Sequence, residues 1–306
     1  MAKVVVAIPT FRRPQSLARL LAALEKLETV AAVVIVVADN DCEKHEGFDV
    51  CEKLMAYRWP LDRFIAPERG IANVRNALVE RSLDHDCDFI AMLDDDEWPD
   101  PHWLDAFLRT QAETGADALH GCILREFETA PGRIAAQLDG IRPMHDVTGP
   151  VEMIPGTGNV LFRRACFEDM PRPCFDSAFA LSGGEDSDFF ERLRRQDRRF
   201  AWCDEAIVHA WVPASRGNLK WALSRAYSVG NSDMRVFLKY RQTAAARALE
   251  IAKIAGALLL SPILFVILGG VSNRAVNALR KLFRAAGKVA AFRGRHYQEY
   301  TVIHGT

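Results

Sequence analysis

In the first half of the chain, short β-branched apolar runs alternate with segments whose apolar residues are helically spaced. Val4–Ile8 is one such run and closes at Pro9-Thr10; Leu17, Leu20, Leu21 and Leu24 then recur at helical spacing. A second run, Ala32–Val37, leads to the polar cluster Asp39-Asn40-Asp41. Ile71 to Leu83 reads as a helix with Val74, Ala77, Leu78 and Val79 on its apolar side, and a third strand, Phe89–Leu93, stops at Asp94-Asp95-Asp96. This alternation predicts an α/β, mostly parallel sheet flanked by helices, in which ligands bind beyond the carboxyl ends of the strands. Thr10, Asp39 and Asp94 to Asp96 fall at those ends. From Asp117 to Val212 the pattern is less regular, with strands expected at Ala118–Leu124, Asn159–Phe162 and near Ile207–Trp211, and a helix from about Glu185.

The pattern changes near Leu219. Leu219–Tyr240 is a mixed apolar and basic helical stretch, and Ile254–Val271 carries no charge and has Pro262 near its centre. Lys239, Arg241, Arg247 and Lys253 precede that run. Arg274, Arg280, Lys281, Arg284, Lys288, Arg293 and Arg295 follow it, with no acid until Glu299. A bilayer span needs about 20 apolar residues, so the run is borderline, and basic flanks on both sides favour the cytoplasm. The expectation is two parts: residues 1–218 as the catalytic domain, and 219–306 as a helical membrane-associated region. Residues 219–298 would meet the cytoplasmic face of a membrane as a peripheral or re-entrant hairpin. A single membrane span and a buried helix in a soluble dimer are the alternatives.

Composition changes this picture little. Among 306 residues, 49% are hydrophobic and 26% charged, which excludes a mainly disordered chain. The formal net charge of −1 gives no reason to expect a nucleic-acid partner. The seven cysteines are scattered and never form CxxC, so a reducing compartment is expected rather than a disulfide framework or a structural zinc. The opening apolar run is too short for a signal h-region.

Candidate chemistry is carboxylate chemistry. Three consecutive aspartates repel one another unless a cation neutralises them, and a divalent metal sharing phosphate ligands would do so. A solvated acidic loop capping a helix near His102–Arg109 is the simpler alternative. Gly183-Gly184 precede Glu185-Asp186-Ser187-Asp188, where acids in a first helical turn stay ionised and one could act as general base. Plain N-terminal capping by Asp186 or Asp188 explains the same residues. His209, in Ile207–Trp211, is a packed histidine or a third metal ligand beside Asp94 and Asp96.

Taken together, these segments resemble glycosyltransferase family 2, with its GT-A (Rossmann-like) fold, from Val4 to about Arg235. The resemblance implies nucleotide contacts from Ala7–Arg13, Pro9, Thr10 and Arg12 included. Asp39 would hold the base, and Arg75 would belong to a segment, Gly70–Asn76, packed beside the nucleotide. Leu93–Asp96 looks like the DxD-type motif: Asp94 and Asp95 for the donor, Asp94 and Asp96 for Mn²⁺ or Mg²⁺. Gly158 and Asn159 would lie near the transferred sugar. Glu185-Asp186 looks like the ED motif, with Asp186 the implied base. Thr157–Arg164 and Gly230-Asn231-Ser232 are similar to the ExoM-like enzymes of bacterial exopolysaccharide assembly, which implies a UDP-hexose donor, UDP-glucose by subgroup likeness, at a bacterial inner membrane; a lipid-linked saccharide acceptor would make sense of the membrane-associated tail. The QxxRW motif of processive synthases is absent, so single-sugar transfer is expected. Three rivals stay open: a nucleotidyltransferase, although no glycine-rich, lysine-bearing phosphate loop is seen near the N-terminus; a haloacid-type phosphatase, although Pro9-Thr10 stands where its nucleophile belongs; and a catalytically silent scaffold.

Overall fold

The structure is a computed structural model and describes residues 1–54, 56–130, 147–240, 242–269 and 272–298, with Asn273 by its backbone alone. Arg241, Val271 and Glu299 lie outside the described residues. Strands β1 (Lys3–Thr10), β2 (Ala32–Asp39) and β4 (Phe89–Met92) form where the apolar runs predict them. The runs are continuous because both faces are covered: Val4, Val6 and Ile8 enter one core cluster while Val5 and Ala7 enter the other.

Helix α1 (Pro14–Leu24) starts with proline in its first turn and buries Leu17, Leu20, Leu21 and Leu24. Together with α4 (Trp103–Thr114), whose Trp103 and Phe107 are fully buried, it covers the first face. Helix α3 (Ile71–Leu83), the short α5 (Ala165–Glu168) and α6 (Glu185–Arg195) cover the second. There Phe162, Phe167, Phe175, Phe189 and Phe190 interlock, with ring centroids 4.7 to 5.9 Å apart for the contacting pairs.

Before β4, two elements escape the periodicity argument. Helix α2 (Glu46–Glu52) is only two turns long, and β3 (Leu61–Ile65) is an edge strand that is half-buried throughout and lacks an apolar run. The remaining strands are β5 (Glu97–Pro99), β6 (Ala118–Phe127), β7 (Gly149–Val151), β8 (Val160–Arg163) and β9 (Phe200–Val212). Among the described residues the sheet order is β3-β2-β1-β4-β8-β6-β9-β5, with β7 added on β9. The β3 to β4 half is parallel, as the alternation predicts. Beyond β4 the sheet is mixed: β8 runs antiparallel to both β4 and β6, while β9 is parallel to β6. Strand order reverses around β1, between β2 and β4, so a crevice opens at their carboxyl ends.

After β9 come α7 (Leu219–Lys239), α8 (Ala244–Ile267) and α9 (Asn273–Phe292). Helix α7 is bonded to the sheet-bearing part at the glycine turn before α6. Ser232 Oγ donates to Gly183 O at 3.1 Å, and fully buried Asp188 accepts from Lys239 Nζ and Tyr240 OH at 2.8 Å each. Helix α9 packs on both α7 and α8. Helix α8 contains Pro262, leaves Leu259, Leu260, Ile263, Val266 and Ile267 exposed, and among the described residues is the one helix long and apolar enough to cross a membrane.

Candidate active site

A cleft of about 810 Å³ opens beyond the carboxyl ends of β1 and β4. Its floor carries Pro9, Thr10, Asp94, Asp95 and Asp96; Thr157, Gly158 and Asp186 close one side. Trp202 and Trp211 from β9, then Trp221 and Arg225 from α7, form the far wall.

The floor is held by an internal network of charges. Thr10 Oγ1 donates to Asp95 Oδ2 at 2.8 Å, and Arg13 Nη1 donates to Asp95 Oδ1 at 2.8 Å and to Asp96 Oδ2 at 3.1 Å. Arg216 adds a contact to Asp96 Oδ2 at 3.4 Å. Arg75, itself buried, donates to Asp94 Oδ1 at 3.2 Å and pairs with Glu185, so it ties the two acidic motifs together. Burial pushes Asp95 up to about 6, opposed by Arg13 and reinforced by Asp96. Burial, then the charges of Asp94 and Asp96, raises Glu97 well above the usual carboxylate range. Glu185 is pushed up to about 7 by burial, against the pull of Arg75.

The 156–158 loop spans the two motifs. A β-carbon at Gly156 would lie 3.3 Å from Asp186 Oδ2, and one at Gly158 would lie 3.1 Å from Asp94 Oδ2 and 2.8 Å from Glu97 Oε1. Asp186 Oδ1 accepts from Ser187 N at 2.7 Å, which leaves Oδ2 toward the loop and cleft. Neither Asp186 nor Asp188 caps α6: the N-cap is Gly184, in the left-handed region at φ 95°. Among the described residues, Thr157 Oγ1 at the cleft and Glu185 Oε2 behind it are buried without a hydrogen-bond partner.

Several residues singled out from the sequence stand elsewhere. Arg12, at φ 54°, turns its guanidinium to Asp41 (2.7 Å) and Glu43 (2.6 Å), and its neighbour Arg13 takes the place in the cleft. Asp39 is fully buried and accepts from Asp41 N, Gly47 N and Phe48 N at 2.8 to 3.0 Å. It fastens the start of α2, and Asn40 lines the cleft instead. Asn159, at φ 53°, points into the protein, donating to Cys122 O and Ala206 O at 2.9 Å each and accepting from Trp103 Nε1 at 2.6 Å. His209 is corrected as a metal ligand. Its ring nitrogens meet Asp100 at 3.1 Å and Glu126 at 2.9 Å, the ring stacks on Trp98, and it does not line the cleft. Glu185 lies behind Asp186 against Arg75 and likewise does not line the cleft.

Glu97 was missed, although it directly follows the aspartates; it accepts from Asp94 N at 3.1 Å. Arg216 and Arg225 were missed for want of any local signal, and Arg280 and Arg284, expected only in the basic flank of a membrane-associated tail, also line the cleft. Among the described residues no three acidic, histidine or cysteine side chains converge on one metal point. Two carboxylates sharing a cation with a diphosphate ligand is an ordinary Mg²⁺ arrangement, and the half-exposed Asp94 beside Asp96 fits that arrangement.

The parallel half-sheet, the reversal of strand order around β1 and the carboxylate-floored cleft define a GT-A-class α/β protein. The chain belongs to glycosyl transferase family 2, whose model matches residues 5–170. It is 32% identical over 236 residues to the succinoglycan biosynthesis protein ExoM of Rhizobium meliloti (strain 1021), an alignment that covers 76% of this chain and 74% of that protein. The crystal structure of S. aureus TarS 1-349 in complex with UDP-GlcNAc matches with a TM-score of 0.55 at 15% identity, over 97% of this chain and 93% of that chain. Its complex with UDP matches over the same shares with a TM-score of 0.54 at 14% identity. At such identities the likeness is one of fold.

Proposed function

We propose that this chain is an inverting, metal-dependent glycosyltransferase. It moves one hexose from a UDP-sugar, with UDP-glucose the first donor to try, onto a lipid-linked saccharide in bacterial surface polysaccharide synthesis, at the cytoplasmic face of the membrane. The observation that carries this is the 156–158 loop, which has Asp186 Oδ2 at one end and Asp94 Oδ2 at the other within one cleft. The succinoglycan relative and the UDP and UDP-GlcNAc complexes of the fold neighbour support the same reading.

The donor's diphosphate would lie over the strand ends beside Thr10 and Asp94 to Asp96. Asp94 and Asp96 would hold Mn²⁺ or Mg²⁺, which when bound stabilises charge on the departing diphosphate. Asp186 takes the proton of the acceptor hydroxyl as that oxygen bonds the anomeric carbon. The bond from that carbon to the diphosphate breaks, UDP leaves with the electron pair, and a single displacement inverts the centre. Arg75 holds Glu185 and Asp94 in register, so that base and donor carboxylates keep a fixed separation.

Calorimetry of UDP binding, with and without Mn²⁺, on wild type and Asp96→Ala tests the donor site. Metal-enhanced binding that is lost in the variant supports it; absence of binding for UDP, GDP and TDP alike overturns it. Asp186→Asn is expected to keep UDP affinity and to lose transfer by about 10²- to 10⁴-fold. Near wild-type turnover would remove Asp186 as the base.

A further inference from the structure

The cleft wall opposite the aspartates is basic and comes from the C-terminal helices. One face of α7 lines it, with Trp221, Ala222, Arg225, Ala226 and Val229 at helical spacing. Helix α9 adds Arg280 and Arg284, one turn apart. Arg284 is held by Asp233 at 2.8 Å, and the side chains of Arg225 and Arg280 are exposed to solvent at the cleft. Residues 272–298 contain no acid at all, and Asp233 is the lone acid of α7, so this wall is cationic by composition. Helix α9 also packs against α8, which exposes Arg247 and Lys253 in its first half and Leu259, Leu260, Ile263, Leu264, Val266 and Ile267 in its second.

Across the helical region the chemistry therefore runs apolar (α8), cationic (α7 and α9), then carboxylate (Asp186). We propose that Arg225 and Arg280 form a binding site for the phosphates of an amphiphilic acceptor, a prenyl-type diphosphate whose tail lies along α8 and whose saccharide reaches Asp186. An anion held at this wall presents its far end to the cleft, while its hydrocarbon stays on the apolar side of the same helix pair. Guanidinium groups suit this role because they fork onto phosphate oxygens. The proposal rests on the glycosyltransferase reading and supplies its acceptor subsite, separate from the donor carboxylates.

The test uses the full chain in mild detergent, loaded with UDP and Mn²⁺, and farnesyl diphosphate as probe. Farnesyl diphosphate is expected to bind without displacing UDP. Arg225→Ala/Arg280→Ala is expected to weaken it at least about tenfold, the scale of one lost charge-assisted bond, with UDP affinity unchanged. Both residues are exposed, and an unchanged thermal melt confirms that the variant folds. Three results overturn the proposal: undiminished probe binding by the variant, loss of UDP affinity in the variant, or inorganic pyrophosphate binding as tightly as farnesyl diphosphate. The second would assign the arginines to the donor, and the third would make the site one for free phosphate. Failure of wild type to bind UDP sinks the donor reading instead, and probe binding by the unloaded chain still decides the subsite.

Discussion

A left-handed backbone at one residue redirects its side chain and hands its role to a neighbour. Arg12 and Asn159 sit at φ 54° and 53°, and in both cases an adjacent residue, Arg13 or Gly158, faces the cleft. Asn159 therefore becomes an internal clamp between β6, β9 and Trp103. Asn159→Ala would strand two buried carbonyls and an indole N–H, at roughly 2 to 4 kcal/mol; urea unfolding should show a lowered midpoint with an unchanged slope. Glu185 carries a pH signature. Its carboxyl titrates near 4.5 when unfolded and is pushed up to about 7 when folded, so the native state holds a proton that the unfolded chain has already released. Its stabilising contribution is complete below 4.5 and is lost as pH rises through 7. In metal-free protein, Glu185→Gln should flatten the fall in melting temperature across that window. An unchanged pH slope in the variant would remove Glu185 as the source.

Among the elements, the runs that can be read from the sequence are those buried on both faces, β1, β2 and β4, and the amphipathic α1 and α3. Strand β3 is half-buried and polar, so alternation had nothing to detect. Gly230-Asn231-Ser232 was legible only as a family likeness. In the fold Gly230 and Asn231 make the α7–α9 crossing, while Ser232 faces Gly183: a β-carbon at Gly230 would strike the Arg284 carbonyl, and one at Gly287 would strike that of Tyr227. Asn231 locks the crossing, donating to Arg295 O at 2.8 Å and accepting from Tyr297 N at 3.1 Å. Gly230→Val should force the helices apart and cost about 1 to 3 kcal/mol or more. A melt that fails to drop would show that the crossing yields easily.

For the whole molecule, α7 and α9 complete the cleft while α8 keeps its apolar second half exposed. The proposed membrane contact predicts that the chain co-sediments with vesicles containing anionic lipid, more weakly as salt rises. Leu260→Asp/Ile263→Asp should release it while leaving UDP affinity intact. Retention of the double variant on vesicles would show that α8 is not the contact.

What the sequence determined alone was the order and burial of the main strands and the clustering of carboxylates at their ends. Short, β-branched apolar runs suit strands covered on both faces, and polar residues gather where such strands stop; the longer apolar run of α8 is helical instead. What tertiary structure decided was which residue of each adjacent pair reaches the cleft, because that depends on local backbone twist and on what else claims the side chain. Asp39 is claimed by the amides of α2, Glu185 by Arg75, and His209 by Asp100 and Glu126. The arginines of α7 and α9 reach the cleft only through the glycine crossing and the anchor at Asp188, contacts between segments that no local pattern relates.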